Sequence, residues 1–303
     1  MMKRKKIAPD KINIPQHQEV FLKYLGQKIE LTYLSHHNSK AHTLKISADQ
    51  YLDICSGEIK NYQRKAKNRL EAPGSVRKTM NRLRDLIYTN VTDYTKIRWV
   101  TLTYRENMRS SERLYEDFRR FFQRFKRYCI KNNWGVPEYI AVAEPQQRGA
   151  WHLHIIFIFS DLAPFIPNKE LEKIWGQGFT KIQALNASSD IALYLTAYLS
   201  DLEIDPNVAE AIPPECVKWV VSEGKKKAIL KGARLSMYPA NMNIYRCSRG
   251  VKTPTVEKMP YNEAKKILTG KQVTYEFGCK LIDEENGFET LMLKRKYESQ
   301  QDG

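Results

Sequence analysis

Residues 139–159, YIAVAEPQQRGAWHLHIIFIF, contain two apolar strands, Tyr139 to Glu144 and Trp151 to Phe159, joined by the loop Pro145 to Ala150, whose length suits a hairpin. Within the second strand, the period of two puts His152 and His154 on one face of a sheet, about 7 Å apart along the backbone. Two imidazoles on one face can grip one metal ion. Glu144 ends the preceding strand, and an antiparallel partner brings it beside the histidines. Two imidazoles, one carboxylate and open positions for water or phosphate oxygens suit a divalent metal, Mg²⁺ or Mn²⁺. The bland alternatives are polar residues on a solvated sheet face and a Glu144–Arg148 ion pair.

Working outward, Ile97 to Tyr104 alternates as a core strand. Ser110 or Ser111 caps a helix reaching about Lys131, with Leu114, Phe118, Phe121, Phe122 and Phe125 on its buried face. Pro167-Asn168 opens a short helix through Trp175, and Phe179 to Ala184 is a further strand. A helix starting at Asn186 to Ser189 runs to about Asp201, and Met242 to Ser248 is extended. Strand, helix, hairpin, helix, strand, helix is an α+β order, an antiparallel sheet with helices packed on it. A terminal hairpin pairs Gln272–Leu281 with Glu289–Leu293 across the turn Glu285 to Gly287. The basic run Lys60 to Arg84, split by Pro73-Gly74, is expected to form two helices. The resulting division is a basic N-terminal accessory region, 1–90, a central domain, 91–250, and a C-terminal extension, 251–303.

The 303 residues carry 50 Lys plus Arg against 34 Asp plus Glu, a net charge of +16. Such a surplus favours a polyanionic partner, and no apolar run approaches the ~20 residues of a membrane span, so nucleic acid is preferred over a membrane. Five scattered cysteines without a Cys-x-x-Cys pair indicate reduced thiols and a cytoplasmic protein, and the N-terminus lacks a secretory apolar core. Arg77, Lys78, Arg82, Arg84, Arg119, Arg120, Arg124 and Lys181 are candidate DNA-binding residues, with Tyr62, Trp99 and Trp151 as candidate base-stacking aromatics. Tyr194 and Tyr198 lie four residues apart on the helix ending near Asp201, about 40° apart around its axis. A phenol is a poor nucleophile unless a metal polarises its target phosphodiester. Absent the histidines, two such tyrosines are the ordinary core face of an amphipathic helix.

Taken together, these motifs resemble the rolling-circle replication initiators of the HUH endonuclease superfamily, of plasmid or single-stranded DNA phage type. Val100-Thr101-Leu102-Thr103-Tyr104 is similar to the first motif, His152-Leu153-His154 with Glu144 and Gly149 to the second, and Tyr194-Leu195-Thr196-Ala197-Tyr198 to the two-tyrosine form of the third. Tyr245 to Gly250 resembles a downstream segment, so the likeness spans roughly Tyr88 to Gly250. It implies a five-stranded antiparallel sheet carrying the histidines centrally, with the tyrosine helix against it. It also implies metal-dependent, site- and strand-specific DNA nicking and joining through a 5′-phosphotyrosine, leaving a free 3′-OH primer. Single-stranded or supercoiled origin DNA, a host helicase and a host polymerase are the partners this implies; a phosphate-binding Gly-Lys loop for a motor of its own is absent from the sequence. The family commonly has Lys just before the second tyrosine. Here Ala197 stands there, and Lys181 is the candidate substitute. The rivals are a two-tyrosine transposase or mobilisation relaxase with the same chemistry, and a non-catalytic basic DNA-binding protein.

Overall fold

The computed structural model describes the chain except residues 1, 38–42, 48, 55, 63–65, 186–189, 223–224, 285–286 and 300–303, and except the side chains of 2, 197, 198, 222 and 225. The fold is mixed α+β, and the chain divides into two compact units, 1–65 with 254–303, and 66–253. The N- and C-terminal segments therefore build one unit together, and the segment 66–90 belongs with the central one. No helix among the described residues is long and apolar enough to cross a membrane.

The unit formed by the two ends of the chain is a six-stranded antiparallel sheet, in the order Met2–Ile7, Lys271–Asp283, Phe288–Ser299, Lys28–Leu34, Glu19–Leu25, Thr255–Pro260. Alternation in Glu19–Leu25 buries Val20 and Leu22, and the helix Tyr261–Leu268 adds Tyr261, Ala264 and Leu268 to the same apolar cluster. The terminal hairpin is longer than its apolar pattern suggests, with Asp283 opposite Phe288; its expected turn lies partly outside the described residues. A small three-stranded sheet, Thr43–Lys45, Gln50–Asp53 and Ile59–Asn61, completes this unit.

In the unit 66–253 the helices and strands among the described residues are α1 (Pro73–Asn90), β1 (Ile97–Thr103), α2 (Ser111–Lys131), β2 (Glu138–Pro145), β3 (Trp151–Ile158), α3 (Asn168–Trp175), β4 (Thr180–Gln183), α4 (Ile191–Ser200), β5 (Leu202–Ile204), α5 (Pro206–Glu210), β6 (Val217–Ser222), β7 (Lys225–Leu230) and β8 (Tyr245–Cys247), besides short 3-10 turns. The basic run forms one helix rather than two, because Pro73 occupies the first turn of α1, where its missing N–H costs nothing; Ile59–Asn61 is strand instead. The main sheet is antiparallel with the order β4-β1-β3-β2-β8, which sets the histidine strand β3 in the middle. A second sheet has the order β5-β7-β6.

One face of the main sheet is sealed by α2. Ser110 caps that helix, its Oγ accepting from the Arg113 amide at 3.1 Å. Leu114, Phe118, Phe121, Phe125 and Cys129 are buried at helical spacing. Phe125 stacks on Phe157 with ring centroids 4.6 Å apart, and Phe118 meets Tyr139 edge-on at 5.1 Å. Each such pair contributes about 0.5–1.5 kcal/mol beyond its area burial. Packing of this kind assigns Leu153, Ile155 and Phe157 to the core side of β3 and leaves His152 and His154 to the opposite face.

Candidate metal centre

The β2–β3 hairpin positions the site. Gln146 N donates to the Ala150 carbonyl at 2.8 Å and Gly149 closes the turn with φ +84°, a conformation glycine adopts freely. The resulting register sets Glu144 directly opposite His152 and Val142 opposite His154. On the other side of β3, Thr103 faces His152 and Thr101 faces His154. Directly opposed residues share a sheet face, so Thr101, Thr103, Glu144 and both histidines project together.

The ligand atoms of Glu144, His152 and His154 lie within 4.8 Å of one another. Glu144 is 2% exposed and His154 7%. A carboxylate facing an arginine accepts, so His154 Nε2–H donates to Glu144 Oε2, at 2.6 Å, and the Thr101 hydroxyl donates to Nδ1 at 3.3 Å. Among the described residues, His152 Nε2 is buried without a hydrogen-bond partner. Unpaired buried polar atoms are rare and ask for a physical reason; a divalent ion accepting the lone pair of His152 provides one. Burial pushes both imidazoles down to about 4, with the neighbouring His154 and Arg148 adding to the effect at His152. Both rings are therefore neutral near pH 7, the form that ligates metal. The three residues fit a divalent ion once His154 carries its proton on Nδ1, which then donates to the Thr101 hydroxyl behind it and frees Nε2 as a ligand.

Arg234, absent from the sequence-based candidates, completes the arrangement. It lies in the short 3-10 turn Ala233–Met237 and is 7% exposed. Its guanidinium pairs with Glu144 Oε1, while Nη1 donates to the Pro145 carbonyl at 3.2 Å and Nε to the Asp201 carbonyl at 2.9 Å. Glu144 is thus paired with Arg234 and His154 rather than with Arg148. A cleft of about 710 Å³ opens beside it, lined among others by Gln146, Arg148, Glu203, Asp205 and Arg234.

Asp201 directly follows α4, so Arg234 joins the triad to the end of the tyrosine helix. Asp190 caps the other end, accepting from the Leu193 amide at 3.0 Å and from the Tyr88 hydroxyl at 2.6 Å; the expected start at Asn186 to Ser189 lies outside the described residues. Ile191, Ala192, Leu195 and Leu199 are buried in the core, α1 packs along α4, and Tyr194 is 59% exposed. The Tyr198 side chain lies outside the described residues.

Among the expected DNA-binding residues, Arg77, Lys78 and Arg82 are exposed on α1, and Arg119 on α2. Arg84 is half-buried and donates to Asn81. Arg120 reaches Glu116 at 3.6 Å and Asp117 at 3.9 Å. Arg124 donates to the Ile174 and Trp175 carbonyls at 2.8 and 3.1 Å, which satisfies the C-terminal end of α3. Lys181 is exposed on β4 opposite Thr101. Trp99 and Trp151 are core, 6% and 3% exposed, so neither offers a ring to a base.

With this geometry in place, comparison with known proteins gives one family. Residues 97–203 match the sequence model of a family described as replication-associated protein ORF2. No curated protein and no solved structure matches the chain. The matched segment, about a third of the chain, runs from β1 to β5 and carries Thr101, Glu144, both histidines and α4. Over that segment the chain is similar to replication-associated proteins of the ORF2 kind.

Proposed function

We propose that the chain is a rolling-circle replication initiator, a metal-dependent nickase and strand transferase that cuts one strand of its origin DNA at a defined site. The observation that carries this reading is the buried Glu144–His152–His154 group, whose His152 Nε2 has no hydrogen-bond partner among the described residues, set in the segment similar to replication-associated proteins. A divalent ion, Mg²⁺ or Mn²⁺, held by these residues would supply Lewis-acid polarisation of the scissile phosphate.

The remaining work falls to the chain itself. Tyr194 or Tyr198 Oη forms a bond to phosphorus as the P–O3′ bond breaks; the phenol loses its proton to solvent, and the departing 3′ oxygen takes one up. The 5′ end stays on the tyrosine, the free 3′-OH primes a host polymerase, and a host helicase unwinds the duplex. Because the phosphodiester energy is kept in the tyrosine ester, reversal joins the strand without ATP. Arg234 holds the carboxylate and the end of α4 in one frame, which limits the reorganisation needed between ground and transition state. Lys181, in the row of Thr101 and His154, stands where it can meet a phosphate and stand in for the lysine missing at Ala197. The exposed arginines of α1, packed along α4, add attraction for the backbone.

Supercoiled DNA carrying the protein's own origin, incubated with the full chain and Mn²⁺, becomes an open circle with protein on its 5′ end. EDTA abolishes this, and so does Tyr194→Phe combined with Tyr198→Phe. Binding without nicking under all metal conditions overturns the reading in favour of a non-catalytic DNA-binding protein.

A further inference from the structure

Strand β4 is the edge of the main sheet and runs antiparallel to β1, with Thr180 opposite Leu102 and Lys181 opposite Thr101. The pairing extends one residue past the strand, because the Thr103 amide donates to the Phe179 carbonyl at 2.9 Å. Phe179 therefore stands opposite Thr103, which faces His152, which faces Glu144. Cross-strand neighbours share a face. One row across the sheet reads Phe179, Thr103, His152, Glu144, and the next reads Lys181, Thr101, His154. The alternate residues of β4 turn the other way: Thr180 is buried and its hydroxyl donates to Asn168 at the start of α3.

Phe179 is 65% exposed in this row. Its backbone is nonetheless held tightly. A Cβ on the preceding residue, Gly178, would lie 2.4 Å from the Thr103 carbonyl oxygen and 2.5 Å from the Arg105 amide nitrogen, so only glycine lets the two chains approach this closely. The Arg105 amide donates to the Gln177 carbonyl at 3.0 Å, continuing the ladder. A phenyl ring presented to water on an ordered strand end, beside an exposed lysine and two strand spacings, about 10 Å, from the histidines, is not a core residue and has a face open to a ligand.

We propose that Phe179 stacks on an unpaired base next to the scissile phosphate while Lys181 takes a flanking phosphate, so that a single DNA strand lies across β4 and β1 toward the triad. The inference rests on the nicking reading above and adds the part of the site that orders the substrate. Stacking of this kind is tolerant of sequence, because every base has a π-face. It secures the strand and leaves the choice of origin to other contacts.

The test is fluorescence anisotropy of the full chain with a 5′-fluorescein oligodeoxythymidine in EDTA, where no cleavage intrudes. Phe179→Ala weakens binding about tenfold, and Phe179→Trp retains it. Lys181→Gln lowers the slope of log affinity against log salt by about 0.7. Phe165→Ala, which removes an 82% exposed ring from the loop 160–167, leaves binding unchanged. Circular dichroism checks that each variant is folded. If Phe179→Ala binds like the wild type, or Phe165→Ala loses as much, the platform is overturned while intact nicking keeps the nickase reading. If the wild type fails to nick yet Phe179→Ala still binds tenfold more weakly, the nickase reading falls and a single-strand site at Phe179 remains.

Discussion

Arg234 and Glu144 form a buried ion pair, and the same guanidinium reaches the Asp201 carbonyl at 2.9 Å, so one side chain ties the triad carboxylate to the helix that carries both tyrosines. Removing one partner of such a pair leaves an uncompensated charge and costs about 3–5 kcal/mol. Arg234→Ala is expected to lower stability by that order in urea unfolding. Arg234→Lys is expected to restore only part of it, since a single ammonium cannot spread over Glu144, Pro145 and Asp201 as a planar fork does.

Thr101 supports His154 from the side away from Glu144. Loss of an orienting partner behind a metal-binding histidine typically costs about 10–100-fold in affinity. Thr101→Val, nearly the same size, is therefore expected to weaken Mn²⁺ binding by about that factor in titration calorimetry with little change in thermal stability. Undiminished affinity would remove the hydroxyl from the site.

Both imidazoles titrate at about 4 in the folded chain, against an ordinary value of 6.5. Between these values the unfolded chain binds more protons than the folded one, so stability without added metal declines as the pH falls from 6.5 toward 4. The loss is on the order of 2–3 kcal/mol per imidazole. Unfolding of the metal-free protein at about pH 7, 5.5 and 4 measures this decline, and replacing His152 and His154 by Gln is expected to flatten it.

Gly178→Ala brings a methyl group within 2.4 Å of the Thr103 carbonyl. Relief requires the β4 edge to move away from β1, at a cost of about 1–3 kcal/mol. Hydrogen exchange is expected to accelerate at the Thr103 and Arg105 amides, which bond Phe179 and Gln177, while the β2–β3 pairing stays protected.

Much of the central unit can be read in the sequence because its signals are local. The apolar spacing of Leu114 to Phe125 marks α2, and the short loop between two apolar runs dictates that Glu144 meets His152. Arg234 is out of reach for the opposite reason: it lies in a turn 90 residues beyond Glu144, and only the packing of that turn against α4 brings it in. Phe179 is visible as a strand residue, but the face it takes depends on its register with β1. The accessory regions look separate in the sequence because their strands come from opposite ends of the chain, with Met2–Ile7 pairing with Lys271–Asp283. Pro73-Gly74 carries two meanings, a break between helices or the start of one, and the pattern of charges alone does not distinguish them.

The most direct test of the central claim is mass spectrometry of tryptic peptides after the full chain has reacted with single-stranded origin DNA and Mn²⁺. The account predicts a nucleotide adduct on the peptide containing Tyr194 and Tyr198, absent in EDTA and absent when both are changed to Phe. An adduct on any other residue, or one that survives the double substitution, would contradict it.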